Sequence, residues 1–140
     1  MANITQLTST LWTGGDLPDD DETAVSDIAD WLEAGITHVV DNRVEANDEE
    51  LVGLDAPRVA YLHNGADAAG QRMPDAWFDR TVGFARDAWA ADPDAGVLVH
   101  CHMGINRGPS AAFAVLLELG WDVIEAIALV RTLRPIAAVG

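Results

Sequence analysis

The chain has 140 residues, of which 49% are hydrophobic, and its 23 acidic and 8 basic residues give a formal net charge of -15. This length and composition predict one folded domain over residues 1–140 and exclude a largely disordered chain. No apolar run approaches the roughly 20 residues that a membrane helix needs, and the negative charge argues against nucleic-acid binding. We therefore expect a monomer that its charge keeps in solution, without a membrane or a nucleic acid as partner.

The amino-terminal segment MANITQLTST lacks a basic region followed by an apolar stretch, so it predicts no signal peptide. The chain has a single cysteine, Cys101, which cannot form an internal disulfide. We therefore expect a cytoplasmic protein, since a thiol stays reduced there. All basic residues are arginines, and the net charge repels anions at long range. Any anion site must therefore be built locally, from arginine side chains and backbone N–H groups.

The first third of the chain predicts a short strand followed by a helix. Residues 3–13 alternate loosely between polar and apolar and end at Gly14 and Gly15, which mark a turn. The helix opens with acidic residues, which suit its dipole, and Gly35 ends it. Its apolar face is predicted from spacings of three and four: Val25, Ile28, Ala29 and Leu32.

The rest of the chain alternates strands and helices. An irregular or weakly helical link separates the next two strands, and a loop over 64–72 follows them. The predicted elements are strands at 36–41 and 58–63, a helix from Pro74 to about Ala91, a strand at 97–101, and helices at 108–119 and 123–132. The strand at 97–101 is apolar throughout, which is typical of a central strand covered on both faces. This order predicts an α/β fold with a central, mostly parallel sheet flanked by helices.

The segment VLVHCHMGINRGPS, residues 97–110, places the cysteine between a strand and a helix. The loop with Gly104 and the helix start near Gly108 bring backbone N–H groups around one point, which makes an anion-binding cradle. Sites of open α/β sheets lie at the carboxyl ends of strands, where Cys101 falls. A thiol beside an arginine at a helix start should be ionised at neutral pH, and Arg107 offers donors for two phosphate oxygens.

The stretch HCHMGINR, His100 to Arg107, matches the His-Cys-x5-Arg pattern of the cysteine-dependent protein tyrosine phosphatases. The chain resembles the dual-specificity branch of this superfamily. LWTGGDL is similar to the opening strand of that branch, LEAGITHVVDNRVE to its next helix and strand, and HNGAD to the segment with its general acid. The resemblance implies a phosphotyrosine protein phosphatase-like fold, no cofactor and no metal. It also implies two-step hydrolysis of phosphomonoesters through a cysteinyl-phosphate.

The resemblance also assigns roles to residues. By it Cys101 is the nucleophile, His100 orients the thiol, and Asp67 protonates the leaving oxygen. The residues that would bind the phosphate are His102, Met103, Gly104, Ile105, Asn106 and Arg107. Asp75 is the second candidate for the general acid, although it also suits the start of a helix. Gly108 departs from the family pattern, which has Ser or Thr at this position, so breakdown of the phosphoenzyme should be slow.

Two other interpretations of the cysteine stay open. A metal site would combine Cys101 with His100, His102 and His63. Neighbouring strand residues point to opposite faces, however, so Cys101 and His100 cannot easily bind the same ion. An inert buried thiol is the common fate of a lone cysteine. That interpretation leaves the spacing of the loop glycine and arginine unexplained.

The predicted substrates are phosphorylated proteins, with phosphotyrosine first and phosphoserine or phosphothreonine as additions. A small phosphoester, such as a phosphoinositide, a sugar phosphate or an RNA 5′ end, is an alternative, and the net charge argues against the most anionic of these. A module that binds phosphorylated residues with little turnover is an alternative of another class, which Gly108 favours. Asp41 and Arg43 follow a strand and either line the rim of the site or pair with each other.

Overall fold

A computed structural model describes residues 3–15, 17–18, 20–43, 48, 52–53, 56, 58–66, 75–101 and 107–135, without the side chains of Asp21, Arg43, Ala66, Arg107 and Gly108. Its strands are Ile4–Thr8 (β1), Leu11–Gly14 (β2), Ile36–Arg43 (β3), Ala60–Ala66 (β4) and Gly96–His100 (β5). Its principal helices are Asp21–Ala34 (α1), Asp75–Ala91 (α2), Arg107–Glu118 (α3) and Val123–Leu133 (α4).

The strands form one sheet in the order β1, β2, β5, β3, β4. β1 and β2 are antiparallel, whereas β2, β5, β3 and β4 run parallel to one another. Gly14 and Asp41 are the register partners of His100 on its two sides. The carboxyl ends of three parallel strands therefore meet around the residue before Cys101. The predicted α/β fold with a central, mostly parallel sheet is confirmed.

Helices cover both faces of this sheet. On one face α1 packs with Trp31 against Leu98, in a cluster that also contains Val52 and Ala56. On the other face α2, α3 and α4 pack against a cluster that includes Val99. Every residue of β5 is buried, which explains its uniformly apolar sequence. Among the helices of the described residues, none has the length and apolar character that crossing a membrane requires.

The amino-terminal segment is a hairpin, so the prediction of a single strand was wrong. Ser9 and Thr10 form its turn, and the Thr10 N–H donates to the Thr8 hydroxyl oxygen over 3.2 Å. A turn stabilised by a hydroxyl needs no glycine or proline. The sequence signals that usually mark a turn are therefore missing between the two strands.

The ends of α1 agree with the prediction, whereas its buried face does not. The Asp20 carboxylate accepts a hydrogen bond from the Thr23 N–H over 3.0 Å, and Gly35 ends the helix in the left-handed region at φ 94°. Three residues of the predicted apolar face are exposed: Val25, Ala29 and Leu32. Ile28 is buried as predicted, together with Trp31. Spacings of three and four fit both faces, so the pattern alone could not select the one that carries the tryptophan.

The other boundaries differ from the prediction by a few residues. β4 begins at Ala60 instead of Arg58 and continues to Ala66, so the predicted loop over 64–72 starts later than expected. Residues 67–72 of that loop lie outside the described residues. The predicted α2, α3 and α4 agree with the observed helices to within one residue at each end.

Candidate active site

Cys101 follows β5 directly and is buried, with 3% of its surface exposed. Its backbone N–H donates to the Gly14 carbonyl over 3.1 Å, which attaches the cysteine to the neighbouring strand β2. The helix α3 begins at Arg107, six residues later. The strand before the predicted phosphate loop and the helix after it are therefore both where the sequence predicts them.

Gly14 allows β1 to approach the strand beside the cysteine. A Cβ atom on Gly14 would lie 2.3 Å from the Asn3 carbonyl oxygen and 3.0 Å from the Ile4 Cγ2. The same Asn3 carbonyl accepts a hydrogen bond from the Gly15 N–H over 3.0 Å. No side chain fits at position 14 without moving backbone. Sequence analysis treated Gly14 and Gly15 only as turn residues and missed this role.

His100 lies beside the cysteine and packs against α1. Its side chain is fully buried, and its ring centroid is 6.0 Å from that of Trp31, at an interplanar angle of 52°. Strand residues alternate between faces, so His100 and Leu98 share the face of β5 that α1 covers. In the part of the chain that the structure describes, no group of three or more His, Cys, Asp or Glu residues is arranged to hold a metal ion.

Arg134 is a buried arginine that sequence analysis did not single out. Its guanidinium donates to the Asn3 Oδ1 over 2.8 Å and to the Thr5 Oγ1 over 3.0 Å, and the residue is 4% exposed. Burial lowers the pKa of Arg134, and its attraction to Cys101 partly offsets this effect. An arginine stays protonated under such a shift. The segment RTLRP contains two arginines, and nothing in its pattern tells the buried Arg134 from the exposed Arg131.

Asn64 attaches the end of β4 to α2. Its buried side-chain amide donates to the Trp77 carbonyl over 2.8 Å and to the Thr81 hydroxyl oxygen over 2.9 Å, and its Oδ1 accepts from the Arg80 Nε over 2.6 Å. The Trp77 indole N–H donates back to the Asn64 carbonyl over 2.9 Å. The two elements joined in this way flank the segment that carries Asp67 in the sequence. The HNGAD stretch contains this asparagine, but sequence analysis gave it no role.

Asp41 is a buried carboxylate beside His100, at the carboxyl ends of the parallel strands. The Tyr61 hydroxyl donates to the Asp41 Oδ2 and accepts from the Asp48 N–H over 3.0 Å. Burial raises the pKa of Tyr61 far above its usual value, and the negative charge of Asp41 raises it further. The sequence predicted that Asp41 lines the site or pairs with Arg43. The structure gives Asp41 a tyrosine partner, and the Arg43 side chain lies outside the described part.

The other predicted site residues lie outside what the structure describes. They are Asp67, the loop residues His102, Met103, Gly104, Ile105 and Asn106, and the side chain of Arg107. Asp75, the second candidate for the general acid, is exposed and is the first residue of α2, as expected for a residue that opens a helix. The roles assigned to these residues stay predictions.

Comparison with solved structures shows the same architecture over the whole chain. Human DUSP28 has a TM-score of 0.78 at 20% sequence identity, with 100% of this chain and 86% of that chain covered. A mouse putative dual specificity phosphatase complexed with zinc tungstate has a TM-score of 0.77 at 22% identity, with 100% and 80% covered. PTPMT1 in complex with PI(5)P has a TM-score of 0.77 at 18% identity, with 99% and 87% covered.

Among curated sequences, the PRL-1 phosphatase of Drosophila melanogaster is 33% identical over 64 residues. The match includes 46% of this chain and spans 34% of the length of that relative. No protein-family model matches the chain. The structural neighbours nevertheless agree with the resemblance that HCHMGINR indicates. The chain therefore has the fold of the cysteine-dependent protein tyrosine phosphatases, in the form that dual-specificity phosphatases share.

Proposed function

We propose that the chain is a phosphatase that hydrolyses phosphomonoesters in proteins, with phosphotyrosine, phosphoserine and phosphothreonine as its substrate class. The observation that carries the proposal is the position of Cys101. It follows the central strand of a dual-specificity phosphatase fold, bonds to Gly14, and precedes a helix start by six residues. The intervening sequence, HMGIN, has the length and the glycine of a phosphate loop.

In the first step the phosphoryl group moves to Cys101. The thiolate sulfur attacks phosphorus, so an S–P bond forms while the P–O bond to the leaving group breaks. Asp67 donates its proton to the leaving oxygen, which departs as a neutral alcohol or phenol. Arg107 and the loop N–H groups balance the charge on the three other phosphate oxygens.

In the second step water releases the phosphate. The Asp67 carboxylate accepts a proton from water as the water oxygen attacks phosphorus, the S–P bond breaks, and the thiolate of Cys101 returns. Inorganic phosphate then leaves. Gly108 has no hydroxyl that could assist the departing thiolate, so this second step limits turnover.

The charge of the chain favours one class of substrate. With a net charge of -15, the protein repels polyanions at long range. A phosphorylated side chain among neutral or basic residues carries less charge than a phosphoinositide headgroup or an RNA 5′ end. We therefore place phosphoproteins before these small or polymeric phosphoesters.

Turnover of aryl phosphates by wild type, Cys101→Ser and Asp67→Asn tests the proposal. Cys101→Ser should abolish turnover and still bind a phosphate analogue such as tungstate. Asp67→Asn should lower kcat/KM, which reports the first step, about a hundredfold with phenyl phosphate, and less with p-nitrophenyl phosphate, whose leaving group needs no proton. Asp75→Asn is the matched control and should leave kcat/KM unchanged with both substrates.

Each alternative has its own signature in these assays. A wild type that binds phosphopeptides without turnover would indicate the binding module instead. If Asp75→Asn shows the leaving-group-dependent loss and Asp67→Asn does not, Asp75 is the general acid. Higher kcat/KM for a phosphoinositide or a sugar phosphate than for phosphopeptides would overturn the proposed substrate class.

A further inference from the structure

Arg80 is an exposed arginine of α2 whose guanidinium is held by a buried asparagine. Its Nε–H donates to the Asn64 Oδ1 over 2.6 Å, and Asn64 has 2% of its surface exposed. The Asn64 side chain is itself fixed, because its amide group donates to the Trp77 carbonyl and to the Thr81 hydroxyl oxygen. The arginine side chain is therefore anchored in one direction, although it lies at the surface.

The hydrogen bond to Asn64 leaves most donors of this guanidinium available. An arginine has five N–H donors, and only the Nε–H of Arg80 is used in this contact. No carboxylate among the described residues pairs with Arg80, whereas Arg86, the other arginine of α2, pairs with Glu118 over 3.0 Å. The two terminal nitrogens of Arg80 can therefore donate to both oxygens of a carboxylate from another molecule.

The helix itself offers Arg80 no acidic partner. Residues three and four positions away share its side of the helix, and none of them ionises. They are Ala76, Trp77, Gly83 and Phe84. Asp79 is adjacent in sequence, and neighbours of that kind do not face each other on a helix. The positive charge of Arg80 therefore stays unpaired within α2.

The asparagine that holds this guanidinium lies at the carboxyl edge of the sheet. Asp41 of β3 is the register partner of both His63 and His100. Asn64 and Cys101 are the next residues of β4 and of the central segment, so they lie at the same height with β3 between them. Neighbouring strands are about 4.8 Å apart, which places the two backbones roughly 10 Å from each other.

The helices α2 and α3 both begin at this edge, on the same face of the sheet. Both pack against the cluster that includes Val99, and the ion pair between Arg86 and Glu118 joins their second halves. A helical side chain leans toward the amino end of its helix. The Arg80 side chain therefore leans toward the edge where the sequence predicts the phosphate loop.

We propose that Arg80 is a specificity-determining residue, which binds the carboxylate of an acidic residue near the phosphorylated residue of a substrate protein. This inference rests on the proposed function and adds a second anion contact to that of the phosphate loop. A separation of roughly 10 Å is the length of about three extended residues. The acidic residue should therefore lie within about three positions of the phosphorylated one.

This preference is local, and the charge of the whole chain acts against it. The net charge of -15 repels acidic substrates at long range. A preference for an acidic residue at one position, in a protein that otherwise disfavours acidic substrates, would therefore indicate a direct contact.

Pairs of phosphotyrosine peptides that differ only by Glu or Gln at one position test this inference. The substituted position runs from about three residues before the phosphotyrosine to about three after it. For wild type, the ratio of kcat/KM between the Glu and the Gln peptide should be highest at one position. Arg80→Gln should lower the ratio at that position by about two- to fivefold, which is the range of an exposed ion pair.

Two control variants separate the contact from net charge and from folding. Arg58→Gln removes the same charge from an exposed residue just before the amino end of β4, at the opposite edge of the sheet, and should leave all ratios unchanged. Thr81→Val removes another hydrogen bond of Asn64 but keeps the guanidinium, so it should keep the preference.

Three results would overturn the inference. The first is an unchanged ratio at every position in Arg80→Gln. The second is an equal fall in Arg58→Gln, which would reduce the effect to net charge. The third is an equal fall in Thr81→Val, which would make Arg80 part of a structural network only.

Failure of the proposed function looks different, because wild type would then hydrolyse none of the peptides. The affinities of the same peptides, measured by fluorescence anisotropy, would in that case give the Glu to Gln ratio without turnover. A ratio that depends on Arg80 would support the subsite in a binding module. Absence of both turnover and binding would overturn the two proposals together.

Discussion

Asn64 and Trp77 exchange two hydrogen bonds between the end of β4 and the first turn of α2. The Asn64 amide donates to the Trp77 carbonyl over 2.8 Å, and the Trp77 indole donates to the Asn64 carbonyl over 2.9 Å. Both residues are buried, so neither hydrogen bond competes with water. The exchange fixes the two elements that flank the segment with Asp67. A change at Asn64 should therefore affect both stability and proton transfer.

Asn64→Ala should lower the free energy of unfolding by about 2 to 4 kcal/mol, because it removes three side-chain hydrogen bonds and leaves buried groups without partners. Urea denaturation measures this loss. Thr81→Val is the matched control, since it removes one of those hydrogen bonds and should cost about 1 kcal/mol. Equal losses in both variants would contradict the role that we assign to Asn64.

Gly14→Ala should destabilise the protein by about 2 kcal/mol or more, because the added carbon meets the backbone of Asn3 and cannot be accommodated by a rotamer change. It should also lower kcat, since Gly14 holds the Cys101 N–H. Thermal and urea unfolding measure the first effect, and an aryl phosphate assay measures the second. A variant as stable and active as wild type would show that β1 need not approach so closely.

Gly83→Ala in α2 is the control for Gly14→Ala. A Cβ atom built on Gly83 has no other heavy atom within 4 Å beyond its chain neighbours and the helix backbone. Alanine in a helix interior stabilises a protein by roughly 0.5 to 1 kcal/mol relative to glycine. Gly14→Ala should therefore lower the free energy of unfolding, and Gly83→Ala should raise it in the same measurement.

Tyr61 should make the folded state unstable in alkali. Burial raises the pKa of Tyr61 in the folded state, while an unfolded chain releases the phenol proton near pH 10. Above that pH the unfolded state binds fewer protons than the folded state, so the free energy of unfolding falls as pH rises. This contribution is fully present below about pH 10, and Tyr61→Phe should abolish the alkaline slope.

The composition makes this prediction easy to measure. The chain has one tyrosine and no lysine, so tyrosinate absorbance at 295 nm reports Tyr61 alone and no amine of a lysine titrates in the same range. Tyrosinate should appear together with the loss of circular dichroism. Its appearance in a protein that is still folded would contradict the prediction.

Gly108→Ser should accelerate the second chemical step, because a hydroxyl next to Arg107 can donate to the departing thiolate. Pre-steady-state assays should show a smaller burst and a faster steady rate. Ser110 lies in the same helix and is buried, so Ser110→Ala serves as the control and should leave the burst unchanged. An unchanged burst in Gly108→Ser would mean that phosphoenzyme breakdown does not limit turnover.

Local patterns predicted much of the fold and the position of Cys101 after the central strand. The uniform apolarity of VLVHC predicted the central strand, and the acidic opening residues and Gly35 predicted the two ends of α1. The spacing in HCHMGINR predicted where the strand ends and α3 begins. These features depend on neighbours within a few residues, so one stretch of sequence contains the whole signal.

The features that sequence analysis missed depend on distant contacts. The requirement for glycine at position 14 comes from the approach of Asn3, and Arg134 is buried against partners near the other end of the chain, Asn3 and Thr5. In the sequence Asn64 has the pattern of an ordinary loop residue, and only the structure shows its contact with Trp77. Contacts of this kind leave no periodic pattern, and the hydroxyl-stabilised turn at Ser9 had no glycine to mark it.

The hydrogen bond from Arg134 to Asn3 joins residues 131 positions apart. A ribosome must therefore release more than a hundred residues after the first partner before the contact can form, and domains fold as synthesis proceeds from the amino terminus. Until residue 134 emerges, the amino-terminal hairpin lacks this contact with the other end of the chain. A polypeptide that stalls before residue 134 should therefore leave its first strand open to proteolysis.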